Sequence, residues 1–156
     1  MGHCYVNSPV GWLYINEEDG YIVEILFKAP EKEETALGCN GNNPILLQCV
    51  TELSEYFEGR RKEFTVPIRL KGGTEFRRGV WEELCRIPYG KVISYKELAE
   101  KIGNPKAIRA VGGANHNNPI SIIVPCHRVI GANGKLVGYG GGLDKKELLL
   151  KLEGVV

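Results

Sequence analysis

The chain has 156 residues, 43% of them hydrophobic, which is enough for a buried core in one ordinary domain or two compact ones. Its five cysteines show no repeated short spacing, and neither a charged-then-apolar leader nor a long apolar run is present, which argues against a disulfide framework and a membrane protein. We therefore expect a soluble, cytoplasmic protein with reduced thiols. We also expect a monomer.

Charge is unevenly distributed, although the net charge is only +1. Residues 1–68 carry 5 Lys and Arg against 11 Asp and Glu, whereas residues 69–156 carry 15 against 8. A basic second half favours a polyanionic partner for that half. Alternatively, the charged residues lie on solvent-exposed faces, and their uneven division between the two halves is accidental.

The first part of the chain predicts a small α/β domain. Residues 4–27 favour strands, and the polar "NEEDG", with Gly20 at its end, predicts a hairpin turn between "GWLYI" and "YIVEILF". The polar stretch "APEKEETALGCNGNN" predicts a loop. Asn43 and Pro44 then begin a helix that ends at Gly59, and "EFTVPIRL" is expected to form a short edge strand.

The second part predicts a mostly helical domain. A glycine pair and the change of charge balance put the boundary between residues 1–72 and 73–156. Each predicted helix starts at capping residues, namely Thr74, Ser94 with Glu97, Asn104 before Pro105, and Asp144 with Glu147. Between the last two helices, "IIVPCHRVIG" and "KLVGYGGG" predict short extended segments around a hairpin turn at Asn133-Gly134.

The helices joined by "IGNP" have the length and turn chemistry of a helix-turn-helix. The second of them contains Gly112 and Gly113, although a glycine in an exposed helix costs about 1 kcal/mol relative to alanine. A bare helix face permits the close approach of another backbone or of a ligand surface. The sequence leaves both alternatives open.

"PCHR" combines a nucleophile with a base. A cysteine is reactive as the thiolate, and His127 is a candidate base for Cys126, with Glu153 as a candidate to orient the imidazole. Adjacent residues of a strand point to opposite faces, so contact between Cys126 and His127 requires a turn or a bridging water. A buried structural cysteine is the alternative. Neither Cys126 with His127 nor His3 with Cys4 has a matching second pair of ligands, so we predict no metal site, and the N-terminal cysteines are the alternative location for one.

Three segments resemble the O6-alkylguanine-DNA alkyltransferases, also called methylated-DNA-protein-cysteine methyltransferases. They are "ISYKELAEKIGNPKAIRAVGGANHNNP", "PCHRVIG" and "GYGGGLDKKELLLKLEG", in this order and spacing. The resemblance implies an α/β N-terminal domain of the ribonuclease-H-like kind and a mostly helical C-terminal domain with a winged/helix-turn-helix DNA-binding motif. It also implies an irreversible transfer, without metal or cofactor, of the alkyl group of O6-alkylguanine in double-stranded DNA to Cys126, with O4-alkylthymine as a further candidate substrate.

The resemblance also implies residue roles. His127 would activate Cys126 through a water, Glu153 would hold the imidazole, and Tyr95 would promote base flipping and donate to the guanine ring. The recognition helix would enter the minor groove, with Arg109 filling the gap left by the flipped base. The DNA-binding residues would be Asn104, Lys106, Arg109, Ala110, Gly112, Gly113, Ala114 and Arg128. The substrate pocket would comprise Asn118, Pro119, Val129, Tyr139, Gly140 and Lys146.

Two other functional classes are weighed against this one. A non-catalytic protein that binds alkylated DNA would share the scaffold, but such proteins usually carry Trp at the nucleophile position, where this chain has Cys126. A Cys-His hydrolase of the peptidase kind would need a peptide cleft, and the basic helix-turn-helix half gives it no support. Gly140 stands where some family members have Ser, which leaves the tolerance for bulky alkyl groups open.

Overall fold

The computed structural model describes residues 2–32, 43–136, 139 and 141–155. The chain divides into two compact units, of which the first comprises Met1–Leu70 and Pro119–Ser121 and the second comprises Lys71–Asn118 and Ile122–Val156. Gly140, Cys39 and most of the loop predicted after the first strands lie outside the described residues. No helix in the described part of the chain is long and apolar enough to cross a membrane.

The first unit is built on an antiparallel sheet. Its strands are β1 (Gly2–Ser8), β2 (Gly11–Glu18) and β3 (Tyr21–Phe27), in that order. The predicted hairpin between β2 and β3 is confirmed: Asp19 and Gly20 both have positive φ, as a two-residue turn that matches strand twist requires. Alternate residues of β2, such as Leu13 and Ile15, are fully buried.

Helix α1 (Pro44–Phe57) packs on this sheet, as predicted. The Asn43 side chain accepts hydrogen bonds from the backbone N–H groups of Ile45 and Leu46, and Pro44 occupies the first helical position, where no N–H is needed. Buried apolar residues of the sheet and the helix form the core of this unit, among them Leu13, Ile15, Ile22, Ile25, Leu46, Leu53 and Tyr56. Full burial of each such side chain contributes about 1.5–3 kcal/mol.

Two short segments extend the free side of β3. Ile68 forms one parallel bridge with Ile22, and Ile120 forms another with Ile25. The prediction of an edge strand in "EFTVPIRL" is therefore wrong except at this single bridge. The Pro67 carbonyl accepts from the N–H of Ile22 at 2.9 Å, but proline has no N–H to continue a ladder.

The second unit begins with two helices whose capping residues were predicted. Helix α2 (Glu75–Leu84) is capped by the Thr74 side chain, and α3 (Tyr95–Lys101) by Ser94 and Glu97 in a reciprocal capping box. Short strand β4 (Ile93–Ser94) directly precedes α3. The predicted mostly helical character of this unit is confirmed.

Helix α4 (Ile108–His116) begins later than predicted. Asn104 and Pro105 lie in a preceding turn, closed by a 3.0 Å hydrogen bond from the Ala107 N–H to the Asn104 carbonyl. Asn104 therefore does not cap this helix, and Ala107 stands at the N-cap without a side-chain hydrogen bond. Helices α3 and α4 pack against each other in the order of a helix-turn-helix, and the Trp81 indole N–H links α2 to α4 by donating to the Ala114 carbonyl at 2.8 Å.

The predicted turn at Asn133-Gly134 is present, because Gly134 has φ 75° and its N–H donates to the Gly131 carbonyl at 3.0 Å. The extended segment predicted after this turn lies partly outside the described residues. Strand β5 (Val129–Ile130) pairs in parallel with β4. A tight loop follows, closed by a 2.8 Å hydrogen bond from the Gly131 N–H to the Lys135 carbonyl. Helix α5 (Leu143–Leu152) begins one residue before Asp144, so Asp144 lies in its first turn and Gly142 takes the cap position. The predicted capping box of Asp144 and Glu147 is wrong.

The cysteines also require a correction. Cys49, Cys85 and Cys126 are free thiols, but Cys4 is disulfide-bonded. An odd count without repeated spacing thus does not exclude one bridge, because pairing depends on distances in the folded chain. Among the described residues, no group of three or more His, Cys, Asp or Glu could hold a metal ion.

Candidate active site

Cys126 lies in a sharp turn of the backbone and not on a strand. Pro125 has φ −82° and ψ 64°, the geometry of an inverse γ-turn, and the Cys126 N–H donates to the Val124 carbonyl at 2.8 Å. Residues Cys126–Arg128 then form a single 3₁₀ turn. The extended segment predicted for "IIVPCHRVIG" forms a strand only at its end, whereas a turn at Cys126, one of the two expected ways to bring Cys126 and His127 together, is present.

His127 and Glu153 form a fully buried pair. The Nε2 atom of His127 lies 2.7 Å from Oε2 of Glu153, and neither side chain has solvent exposure. A carboxylate accepts, so Nε2 carries the proton and Nδ1 keeps its lone pair. Nδ1 is buried and has no hydrogen-bond partner among the described residues. Burial lowers the pKa of His127, while Glu153 opposes that shift. The ring is thus held neutral, with a basic nitrogen available.

Arg128 is buried and binds the carboxylate of Glu153, so the prediction that it contacts DNA is wrong. Its Nε donates to Oε1 of Glu153 at 2.8 Å, and Nη2 donates to Oε2 at 3.0 Å. Its Nη1 donates to the Ile87 carbonyl at 2.7 Å. The backbone N–H of Gly90 adds a 3.2 Å hydrogen bond to Oε1. A guanidinium held this way beneath the surface cannot also reach a phosphate.

The thiol of Cys126 is 4% exposed, and its surroundings act on its pKa in both directions. Burial raises the pKa of Cys126. The nearby side chains of Asn118 and Tyr139, and the positive charge of Lys146, oppose this increase. Three residues predicted from the resemblance to lie in the substrate pocket are therefore placed at the thiol. Asn118 also braces the approach to the turn, because its Nδ2 donates to the Val124 carbonyl at 2.8 Å.

Lys146 is a fully buried cation next to this cluster. Its Nζ donates to the Val129 carbonyl at 2.5 Å and lies 5.8 Å from the centre of the Tyr95 ring. Burial lowers the pKa of Lys146 to about 8, while the charge of Cys126 raises it. An amine with this pKa is still largely charged at neutral pH, so it favours the thiolate form of Cys126.

The structure adds Asn115 to the site, a residue that sequence reasoning missed. Its Nδ2 donates to the Cys126 carbonyl at 3.3 Å and lies 3.5 Å from the Tyr95 hydroxyl. The sequence signal was available: Asn115 follows the buried Val111 by four residues and so shares its helix face. A polar residue on an apolar helix face needs a polar partner.

Residues predicted to bind DNA are distributed unevenly over α4 and the preceding turn. Asn104, Lys106, Arg109 and Ala110 are exposed, and Gly112 and Gly113 are half-buried. A Cβ added at Gly113 would meet nothing within 4 Å. Ala114 is fully buried and therefore does not belong to the exposed face, which corrects that prediction. The packing of another backbone, weighed above for the glycine pair, is not observed at Gly113.

Two predicted pocket residues are not brought to the thiol by the described contacts. Pro119 belongs to the first unit, where its carbonyl accepts from the Ile25 N–H at 2.9 Å. Gly140 lies outside the described residues. Near Pro119, Ile122 has φ 73°, a conformation that is uncommon for a β-branched residue, and it marks the point where the chain returns to the second unit.

Comparisons with known proteins match both units of the chain to the same family. Residues 1–70 match the family described as 6-O-methylguanine DNA methyltransferase, ribonuclease-like domain, and residues 75–155 match its DNA binding domain. The chain is 48% identical to a methylated-DNA–protein-cysteine methyltransferase of Methanosarcina acetivorans, covering 99% of each chain. It is also 48% identical to the protein of that name from Mycolicibacterium paratuberculosis, covering 95% of this chain and 89% of the relative.

A solved structure provides the same comparison in three dimensions. The Mycobacterium tuberculosis OGT in complex with DNA superposes with a TM-score of 0.85 and 43% sequence identity, covering 97% of this chain and 91% of that one. The predicted combination of a ribonuclease-like domain and a DNA-binding domain is confirmed by these matches.

Proposed function

The chain belongs to the 6-O-methylguanine DNA methyltransferase family, and from this premise we propose that it repairs DNA by transferring the alkyl group of O6-alkylguanine to Cys126. One observation carries the assignment of the nucleophile. Cys126 is a free thiol directly before a histidine whose Nε2 is bound to a buried carboxylate, which leaves Nδ1 of His127 as a base.

The proposed reaction is a displacement at the alkyl carbon. His127 takes the thiol proton of Cys126 through a bridging water, Sγ forms a bond to the alkyl carbon, and the bond between that carbon and O6 breaks. The electron pair of the broken bond stays with guanine, which takes up one proton and leaves as the normal base. The thioether has no leaving group comparable with guanine, so each molecule acts once.

Several neighbours support the thiolate. The side chains of Asn118 and Tyr139 and the positive charge of Lys146 oppose the increase in the pKa of Cys126 that burial causes. Glu153 fixes the tautomer of His127, and Arg128 donates to both of its oxygens. This arrangement offsets part of the cost of burying a thiolate.

DNA engagement is assigned to the exposed side of α4. Arg109 is exposed there, and the half-buried Gly112 and Gly113 leave a surface without side chains. The alkylated base lies inside the duplex stack and must be flipped to reach a buried thiol. We assign minor-groove entry to this bare face, occupation of the vacated stack to Arg109, and promotion of flipping to Tyr95, with the protein acting as a monomer.

The test combines intact mass and peptide mapping after the protein is mixed with a duplex containing one O6-methylguanine. We expect one methyl group per protein, located on Cys126, and none in Cys126→Ala. Cys85→Ser is the matched control, because Cys85 is a free thiol outside the cluster, and this variant should still be methylated once. An unchanged mass with retained binding of the lesion would instead support the non-catalytic alternative, which the names of the relatives do not favour.

A further inference from the structure

Asn115 connects two groups of the proposed site. It lies in the last turn of α4 and is 2% exposed. Its Nδ2 donates to the Cys126 carbonyl at 3.3 Å and lies 3.5 Å from the Tyr95 hydroxyl. The amide thus joins the backbone of the nucleophile to the tyrosine that we assign to base flipping.

The other atom of this amide has no such contact. Oδ1 of Asn115 is buried and lacks a hydrogen-bond partner among the described residues. The orientation of the amide is chemically determined, because the Cys126 carbonyl can only accept and therefore requires Nδ2 on its side. A buried acceptor without a donor is unfavourable and rare, and it calls for an explanation. A bound ligand explains this acceptor if it places an N–H group next to Oδ1.

O6-alkylguanine has one such donor. Alkylation at O6 leaves N1 without a proton, so N1, N3 and O6 all accept, and only the 2-amino group donates from the pairing edge. Two side-chain acceptors of this cluster are buried without a donor among the described residues, Nδ1 of His127 and Oδ1 of Asn115. The proposed reaction uses Nδ1 of His127 as the base, which leaves Oδ1 of Asn115 for the amino group. The backbone carbonyls of Cys126 and Val129 each already accept one hydrogen bond in the free protein, from Asn115 and from Lys146 respectively.

We propose that Asn115 is a specificity-determining residue, whose Oδ1 accepts a hydrogen bond from the 2-amino group of the flipped alkylguanine while Nδ2 holds the Cys126 carbonyl. This inference rests on the proposed function and extends it to the choice of base. It requires that the protein distinguish O6-alkylguanine from a base that carries the same O6-alkyl group but lacks the 2-amino group.

O6-methylhypoxanthine is that base, and a single-turnover comparison tests the proposal. Methyl transfer from duplexes containing either base is followed by the mass of the Cys126 peptide. We expect wild-type protein to react at least about tenfold faster with O6-methylguanine, the size of effect that one buried hydrogen bond supplies. Asn115→Leu, which has the same branching at Cγ but no polar atoms, should react at the same low rate with both duplexes.

Asn117→Leu is the matched control. Asn117 follows the same helix and is exposed, with its Nδ2 donating to the Gly113 carbonyl at 2.8 Å. Any general effect on DNA binding in this variant changes both rates together and leaves their ratio as in the wild type. Asn115→Ser is a second variant that avoids overpacking, and it should lose the selectivity in the same way.

The possible results distinguish a failure of the specificity role of Asn115 from a failure of the proposed function. Equal slowing of both duplexes by Asn115→Leu, with the ratio retained, would overturn the specificity role and leave Asn115 as a support of the turn. If neither variant folds, equal wild-type rates on the two duplexes would still overturn it. Absence of methyl transfer from either duplex by the wild type would overturn the proposed function itself.

Discussion

The guanidinium of Arg128 donates to both carboxylate oxygens of Glu153, while His127 contacts one of the same oxygens at 2.7 Å. Two neighbours in sequence thus bind one carboxylate at the end of α5. Because the pair is buried, removing the cation leaves an uncompensated charge at Glu153.

We therefore expect Arg128→Met to lower the free energy of unfolding by about 3–5 kcal/mol, measured by chemical denaturation. Arg128→Lys should recover only part of the loss, since an ammonium cannot reproduce the paired contacts of a guanidinium. Arg86→Met is the control, because Arg86 pairs with Glu83 at 2.9 Å but is largely exposed, and its loss should cost about 0–1 kcal/mol. Similar losses for Arg128→Met and Arg86→Met would contradict a structural role for the buried pair.

Arg109 provides a prediction about duplex DNA. It is exposed on α4, outside the cluster around Cys126. We expect Arg109→Ala to slow methyl transfer from duplex DNA by at least about tenfold while leaving reaction with the free O6-alkylguanine base nearly unchanged. Single-turnover rates on the two substrates provide the measurement. Equal slowing on both would remove the role of Arg109 in replacing the flipped base.

Gly113 provides a prediction in which stability and DNA affinity move in opposite directions. A Cβ at this position meets nothing within 4 Å, so Gly113→Ala should stabilise the fold by up to about 1 kcal/mol through helix propensity. The same methyl group should weaken DNA binding if this face enters the minor groove. Thermal unfolding and DNA titration measure the two effects.

Gly79→Ala is the matched control for Gly113→Ala. Gly79 is also a helical glycine, in α2, and an added Cβ there again meets nothing within 4 Å. This variant should gain similar stability and keep its DNA affinity. If Gly113→Ala also binds DNA as tightly as the wild type, another surface carries the contact.

Local sequence signals predicted those features that depend on neighbouring residues. Asn43, Thr74 and Ser94 all cap helices because a short polar side chain reaches the first free N–H groups wherever the chain begins to coil. Asn104 carries the same signal but lies in a separate turn, because α4 begins only at Ile108. A capping residue therefore identifies a nearby helix better than its first residue.

The site required tertiary information that no local pattern contains. Arg128 was expected at the DNA surface from the family resemblance, yet Glu153, 25 positions away, holds it inside. Glu153 was a candidate partner of His127 from the residues alone, but nothing in the local sequence brings the two together. A turn at Cys126 was one of two expected ways for Cys126 to reach His127, but its form was not predicted, because apolar residues on both sides of "PCHR" favour a strand, whereas Pro125 bends the chain.

Lys146 connects the pH dependence of the reaction with that of stability. Burial lowers the pKa of Lys146 to about 8 in the folded state, from an ordinary value of 10.5. Between these values the unfolded state binds more protons at Lys146, so the contribution of Lys146 to the free energy of unfolding rises with pH from about 8 to 10.5. Buried thiols such as Cys49, whose pKa is raised to about 12, contribute in the opposite direction in both proteins. The free energy of unfolding of the wild type relative to Lys146→Met should therefore increase with pH over that interval, as measured by denaturation of both proteins at several pH values.

The same substitution should also change the reaction with alkylated DNA. The charge of Lys146 lowers the pKa of Cys126, so Lys146→Met raises that pKa and reduces the thiolate fraction about tenfold for each unit of increase. The single-turnover rate at neutral pH should fall, and the rise of the rate with pH should move to more alkaline values. Lys151→Met is the control, because Lys151 lies on the same helix in an exposed pair with Glu147. An unshifted pH profile in Lys146→Met would mean that Lys146 binds the Val129 carbonyl without supporting the thiolate.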